Sequence, residues 1–303
     1  MTSVCVLLCT KNGERFIEAQ LNSIINQKNI NLHLYVSDDY STDSTLNILN
    51  KYKRKFSNKI RKIYIGKRGS AVKNFTYLIQ NIRYNYDYYA FSDQDDIWKK
   101  NKLHKAVNIL KKGYALYCSR TILIDEDEKQ IGLSPYFNNQ ITSFNHAFVQ
   151  SIAGGNTMVF DKNVLNYLKT TLRGHFPSHD WWTYIITTFC GKKVYYDDNC
   201  SIYYRQHKRN LVGHNQGLIN KFKRFYRAFF KNIYLKWNGI HLIILNKHKN
   251  LGTDKNQDLL NELNKLRKKN LINKIKFMYR RNIFRQSMIG NVVLFFLVLL
   301  KKF

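Results

Sequence analysis

Over its first 93 residues the chain alternates short apolar runs with amphipathic stretches, and this rhythm constrains the fold more than any other feature. "VCVLLC" (4–9), "LHLYVSDD" (32–39), "IRKIYIG" (60–66) and "YYAFSD" (88–93) read as strands, the first apolar throughout, as in a parallel sheet covered on both faces. Between them lie "ERFIEAQLNSIINQ", "STDSTLNILNKYKRKF" and "AVKNFTYLIQNIRY". In the first of these, Phe16, Ile17, Leu21, Ile24 and Ile25 form a stripe at helical spacing. Ser41 or Thr42 is placed to cap the second. Strand and helix in alternation predict an α/β domain with a doubly wound, mostly parallel sheet. Such sheets bind ligands beyond the carboxyl ends of their strands. Three polar loops, "CTKNG" and the acid-bearing "SDDYSTD" and "SDQDD", fall at such ends.

No G-x-G-x-x-G follows the first strand and no G-x-x-x-x-G-K-[ST] occurs anywhere, which argues against dinucleotide and P-loop enzymes. From about residue 113 the pattern is mixed. Strands are expected at "YALYCSRTILID", "TMVFD" and "KKVYYDD", a helix at "HDWWTYIITTF", and a strand running into "YYRQHKRN". Beyond about residue 215 Lys and Arg interleave with aromatic and aliphatic residues at helical spacing. The expected organisation is a first domain over residues 1–215 and a basic, amphipathic, mainly helical extension over 216–303. The most apolar stretch, "NVVLFFLVLL" (291–300), is half the roughly 20 residues needed to cross a bilayer. "MTSVCVLLCTKNG" lacks the basic flank and the apolar length of a signal peptide and reads as a buried strand. Five scattered cysteines form no C-x-x-C pair, so a reducing cytosol is expected rather than a disulfide framework or zinc site.

Fifty Lys and Arg against twenty Asp and Glu give a formal charge of +30, which suits an anionic partner such as nucleic acid, anionic lipid or a phosphorylated substrate. Abundant Lys, Asn, Ile and Tyr are explained equally well by an AT-rich coding genome. With 44% hydrophobic residues the chain can build a substantial core.

Against this basic background "FSDQDDIW" places Asp93, Asp95 and Asp96 within four positions. Carboxylates so close raise each other's pKa unless a cation or proton intervenes. A D-x-D pair at a strand end suits a hard divalent cation, Mn²⁺ or Mg²⁺, with substrate phosphates completing its shell; a solvated turn explains many such pairs. Asp96 is the member best placed to start the helix expected over "IWKKNKLHKAVNIL". In "SDDYSTD", Asp39 is the candidate for a base or ribose contact and Asp43 for a helix cap. Asp180 in "PSHDWWTYI", flanked by His179 and by Trp181 and Trp182, is either a partly desolvated general base beside sugar-stacking rings or a cap with both rings in the core. Arg205, His207, Lys208 and Arg209 suit a diphosphate, and His207 a metal shell, or form an ordinary basic loop.

Together "VCVLLCTKNG", "VSDDYSTDST", "SDQDDIW", "HDWW" and "YYRQH", in this order over residues 1–215, resemble glycosyltransferase family 2, in particular its bacterial rhamnosyltransferase-like branch. The resemblance implies a GT-A fold, a nucleotide-diphosphate sugar donor with rhamnose among the candidate sugars, and inverting transfer in one displacement. It implies donor-nucleotide contacts from Thr10, Asn12, Asp39, Lys73 and Asp93, and a metal held by Asp93, Asp95 and His207. It further implies diphosphate contacts from Arg205 and His207, Asp180 as base, and Trp181 and Trp182 near the acceptor sugar. The family commonly has "TYNG" after its first strand; here Lys11 stands in place of that tyrosine, leaving UDP and dTDP both open. The basic extension would suit a peripheral enzyme at the cytoplasmic face of the cell membrane acting on lipid-linked saccharides, or would pack on the first domain. A nucleic-acid-binding protein would explain the charge but not two acid-bearing loops at strand ends, so no nucleic-acid partner is expected. A glycoside hydrolase would want two separated acids and no metal.

Overall fold

The computed structural model describes residues 1–300 except 140, 175, 208–231 and 267–268. The expected alternation is present as β1 (Ser3–Thr10), α1 (Ile17–Ile25), β2 (Asn31–Asp38), α2 (Thr45–Lys55), β3 (Ile60–Ile65), α3 (Ala71–Asn81) and β4 (Tyr88–Ser92). There follow β5 (Ile97–Trp98), α4 (Lys102–Leu110), β6 (Leu116–Ser119), β7 (Ile122–Ile124), β8 (Gln130–Leu133), α5 (Phe144–Ala147), β9 (Val159–Asp161), α6 (Lys162–Thr171), α7 (His179–Phe189), β10 (Val194–Asp197) and β11 (Ile202–Arg205). Four helices close the described chain: α8 (Ile233–Lys247), α9 (Asp254–Leu266), α10 (Leu271–Arg280) and α11 (Met288–Leu299).

Seven strands form one sheet in the order β10-β6-β9-β4-β1-β2-β3, and only β9 runs against the others. The period-two geometry of β1 shows why both faces must be covered. Val4, Val6 and Leu8 enter an apolar layer with Ile17 and Leu21 of α1, Leu49 of α2 and Leu103 of α4. Cys5, Leu7 and Cys9 enter the opposite layer with Phe75 of α3, Leu165 of α6 and Ile185 of α7. Register then sets the site: β1 and β2 end level with Thr10 opposite Asp38, and Leu8 lies opposite Ser92 of β4. The three polar loops therefore emerge side by side.

A second, four-stranded sheet, β5-β11-β7-β8, was not anticipated as a unit. The single strand expected over "YALYCSRTILID" is broken at Arg120–Thr121, so that β6 joins the large sheet and β7 the small one. Ile97 and Trp98, expected within a helix, instead pair antiparallel with Tyr203 and Ile202 of β11. The helix starts only at Lys102, with Asn101 before it, so Asp96 does not serve as its N-terminal acid. Ser41 and Thr42 do not cap α2, whose preceding residue is Ser44; Ser41 bonds to Asp38 instead.

The C-terminal helices share the apolar layer of α7: Leu245, Leu260, Leu263, Phe277 and Leu297 are buried in the same cluster as Trp182 and Ile185. His241 of α8 stacks on Trp182 at 5.6 Å between centroids, and the Asn256 carboxamide donates to the carbonyls at the end of α7, Thr188 and Phe189, at 3.0 and 2.9 Å. The expected boundary near residue 215 and the first part of the basic extension lie outside the described residues. Among the described residues no helix is long and apolar enough to cross a membrane.

Candidate active site

The loop after β1 and the D-x-D loop after β4 are clasped together by Gln94, the residue between the two aspartates. Its Oε1 accepts from the Lys11 backbone N–H at 2.8 Å, and its Nε2 donates to the Lys11 carbonyl at 3.0 Å. Gly13 leaves the room: a side-chain carbon there would run into the Gln94 carboxamide. Sequence reasoning passed over Gln94, because a glutamine in a loop carries no signal until its partner is known.

On the β2 side every aspartate is supplied with donors. Asp38, fully buried, accepts from the Thr10 hydroxyl at 2.6 Å, the Ser41 N–H at 2.7 Å and the Ser41 hydroxyl at 2.6 Å. Asp39 accepts from the backbone N–H groups of Arg68 and Gly69, the latter at 3.0 Å to both oxygens. Asp43 accepts from the Thr45 N–H at 3.0 Å and the Glu14 N–H at 3.2 Å, tying the first loop to the start of α2. Thr10, expected at the nucleotide, is instead buried with its hydroxyl committed to Asp38. Asn12 adopts φ 47° and braces the same turn, its N–H donating to Ser41 Oγ at 2.8 Å and its Oδ1 accepting from Thr42 N–H at 2.9 Å. Lys73 sits exposed in the first turn of α3, whose N-cap Ser70 accepts its N–H at 3.3 Å.

Next to Asp39, Tyr40 holds φ 60° with 61% of its surface exposed. A bulky residue in the left-handed region is strained. Lys11 Nζ holds the turn by donating to the carbonyls of Asp39 and Tyr40, the latter at 3.0 Å. The departure from "TYNG" thus removes an aromatic ring at position 11 while an exposed one stands at position 40.

The β4 side is electrostatically different. No described residue donates to the Asp93 carboxylate, and burial, then the charges of Asp95 and Asp180, push its pKa up to about 8. Asp95 meets His207 Nε2 at 2.8 Å, and the imidazole stacks on Phe16 at 5.2 Å. The short β5–β11 pairing explains this meeting: with Ile202 opposite Trp98 and Tyr203 opposite Ile97, the chain from 205 to 207 runs antiparallel back past Asp95. Asp96 is fully buried, accepts from Asn156 Nδ2 at 2.7 Å and from the Arg205 N–H at 3.3 Å, and has its pKa raised by burial and then by Asp95 and Asp93. It anchors the loop from below rather than starting a helix.

Arg205 does not face the cleft as expected. Its side chain is 2% exposed, and the guanidinium donates to the carbonyls of Asp95 and Glu126 at 3.1 and 2.9 Å and pairs with Glu128 at 2.9 Å. It acts as a strut between the sheets. Lys208 and Arg209 lie outside the described residues.

Asp180 stands in the first turn of α7, after the N-cap Ser178. One oxygen accepts from the Trp181 N–H at 2.7 Å and from the Ser178 hydroxyl, the other from the Gly155 N–H at 3.1 Å. Gly155 is required there, since a Cβ would lie 2.6 Å from His179 Nε2. His179 stacks on Phe75 at 4.0 Å, and burial holds its pKa low, so a neutral ring backs the carboxylate. The two tryptophans are core, not sugar platforms: Trp182 is fully buried with Nε1 on Thr171 Oγ1 at 3.0 Å, and Trp181 is 5% exposed with Nε1 on the Ala147 carbonyl at 2.7 Å. Helical periodicity places them there, packing α7 against α6, α5 and α8.

Oxygen donors from Asp93 and Asp95 with the imidazole of His207 fit a hard divalent cation chemically. Among the described residues no three His, Cys, Asp or Glu side chains converge into a shell of their own, so a cation held here needs ligands from a substrate.

A mostly parallel sheet with a D-x-D loop at its carboxyl edge and a single antiparallel strand beside β4 is the architecture of GT-A glycosyltransferases. The chain aligns with Staphylococcus aureus TarS 1–349, crystallised with UDP-GlcNAc, at a TM-score of 0.53 and 16% identity, over 81% of this chain and 71% of that one. It also aligns with a mannosyltransferase of Pyrobaculum calidifontis, crystallised with GDP-Man and Mn²⁺, at a TM-score of 0.51 and 16% identity, over 96% and 86%. The glycosyl transferase family 2 model matches residues 5–169, and the chain belongs to that family. Among its relatives is the dTDP-rhamnosyl transferase RfbG of Shigella flexneri, 35% identical over 72% of this chain and 77% of that protein. Another is the Escherichia coli UDP-Glc:alpha-D-GlcNAc-diphosphoundecaprenol beta-1,3-glucosyltransferase WfgD, 26% identical over 54% and 62%.

Proposed function

We propose that this glycosyltransferase moves a sugar, with inversion, from a nucleotide-diphosphate donor to a saccharide acceptor carried on a lipid, in the assembly of a bacterial surface polysaccharide. The observation that carries this reading is the convergence of Asp39, Asp93, Asp95 and Asp180 on one sheet edge, with the pKa of Asp93 raised by burial and then by the charges of Asp95 and Asp180. The 35% identity to RfbG favours dTDP-rhamnose as donor, and the lipid-linked acceptor named for WfgD favours the cytoplasmic face of the cell membrane as the place of work.

In this reading the base lies at the β2 edge, where Asp39 and the exposed ring of Tyr40 stand together and Tyr40 supplies the aromatic face that Lys11 does not. Asn12 and Lys73 border the same edge, and the diphosphate lies toward Asp93, Asp95 and His207. Mn²⁺ or Mg²⁺ held here by these side chains together with oxygens of the diphosphate itself would offset the charge of the departing group. Asp180 is the base: its carboxylate, fixed by Gly155 and Trp181, takes the proton of the acceptor hydroxyl as that oxygen attacks the anomeric carbon and the nucleotide diphosphate leaves from the opposite side. One displacement inverts the centre and needs no covalent enzyme intermediate.

The test is transfer from a panel of nucleotide sugars to a lipid-linked acceptor by wild-type and Asp180→Asn protein. The amide lowers kcat by about 10³-fold or more with donor affinity nearly unchanged. Undiminished turnover in the variant would remove Asp180 from the base role.

A further inference from the structure

Helix α11 is apolar almost all the way round, and one side of it is buried while another is exposed. Leu294, Leu297 and Val298 are buried against the rest of the chain. Met288 and Ile289, 85% and 79% exposed, begin a second stripe that continues through Val292, Phe295 and Leu299, all exposed. The spacing is that of one helix face, and it holds no polar side chain. Asn291, the polar residue of α11, is turned back to hydrogen-bond both backbone groups of Arg285 at 2.7 Å. On α10 the exposed residues Ile272, Ile275 and Tyr279 repeat the pattern, with Lys276 exposed beside them.

Charge identifies the occupant. Glu262 is the last acidic residue of the chain; eleven Lys and Arg follow it and no Asp or Glu. Glu262 is engaged by Arg280 and Arg281 at 2.9 and 2.7 Å, so it does not offset the remainder. An exposed apolar helix face on a segment whose charged residues after Glu262 are all basic fits an interface whose edge is negative and whose interior is hydrocarbon. A twelve-residue helix is too short to cross a bilayer but long enough to lie along one.

We infer that the outer face of α11, flanked by α10, seats the enzyme in the surface of an anionic lipid bilayer. This deepens the lipid-linked acceptor reading by assigning the surface that brings the enzyme to its acceptor. Neither stripe belongs to the site around Asp93 and Asp180.

The experiment is flotation of the full chain with phosphatidylcholine vesicles, with and without phosphatidylglycerol, without donor or acceptor. The expected result is flotation with the anionic vesicles, reversed by salt, and little with phosphatidylcholine alone. The double substitution Ile289→Glu/Phe295→Glu lowers the bound fraction about tenfold, while Tyr84→Glu, at a 69% exposed residue on the first domain, leaves it unchanged. Equal melting temperatures for all three proteins keep the comparison free of unfolding. Flotation of the double variant at the wild-type level, or no flotation of wild type, would overturn the assignment. A wild-type dimer that the double substitution converts to monomer, with no vesicle binding, would identify a second copy as the occupant and overturn it equally. Because the readout needs no catalysis, a protein that floats yet transfers no sugar would refute the proposed function and leave the docking face standing.

Discussion

Asp38, Asp39 and Asp43 after β2 and Asp93 and Asp95 after β4, on the two sides of β1, are the same functional group in different company. The first three are met by backbone N–H groups and hydroxyls from three segments, so their charge is settled within the protein and the loop is rigid before any ligand arrives. Asp93 receives no such donor from the described residues, and Asp95 has His207. The difference assigns the work: a pre-ordered carboxylate suits recognition of a neutral base, whereas crowded, undersupplied carboxylates store repulsion that a cation and a diphosphate relieve.

The largest break in this comparison comes from Asp93→Asn. Transfer falls by about 10²-fold or more, yet the free protein becomes more stable. The sign follows from linkage: a carboxyl whose folded pKa is raised to about 8 contributes stability below its ordinary value, and that stability is lost as pH climbs toward 8. An amide does not titrate, so in calorimetric melts the variant gains on wild type as pH rises from about 5 to 8, by about 3 °C at the upper end. A variant less stable than wild type at pH 8 would show that Asp93 is satisfied in the native state and that the contrast between the loops is wrong.

Asp39→Asn tests the settled side. An amide keeps one acceptor oxygen but loses the charge that the Arg68 and Gly69 N–H groups address. Stability falls by about 2 kcal/mol, and donor affinity falls with it, opposite in sign to the Asp93 variant. The smallest effect belongs to Tyr40→Ala, which releases backbone strain and removes a ring. Nucleotide affinity drops about threefold to tenfold, stability does not fall, and Tyr40→Phe restores binding; unchanged affinity in the alanine variant would take the base away from that ring.

The sequence carried most of the large sheet, because its first four strands are short β-prone runs, apolar throughout in β1, separated by helices with their own period. It also carried the placement of Asp93, Asp95 and Asp180 at the carboxyl edge of that sheet, since strand ends and a helix start mark those positions; their roles are proposals. What it could not carry depended on pairing at a distance. A two-residue strand such as Ile97–Trp98 has no period of its own, so the helix expected across it and the role given to Asp96 both followed from a missing partner, β11. Arg205 looked like a phosphate ligand because its carbonyl partners at 95, 125 and 126 leave no trace in residue type. Trp181 and Trp182 were open to either reading until packing by α5, α6 and α8 decided for the core.

The central claim is that Asp93 and Asp95 hold a divalent cation against the donor's diphosphate. Isothermal titration of wild-type and Asp95→Asn protein with dTDP and UDP, each with and without Mn²⁺, addresses it directly. The account predicts that Mn²⁺ tightens binding of the cognate nucleotide at least about tenfold in wild type and not in the variant. Equal affinity with and without Mn²⁺ in wild type, or an equal gain in both proteins, would contradict it.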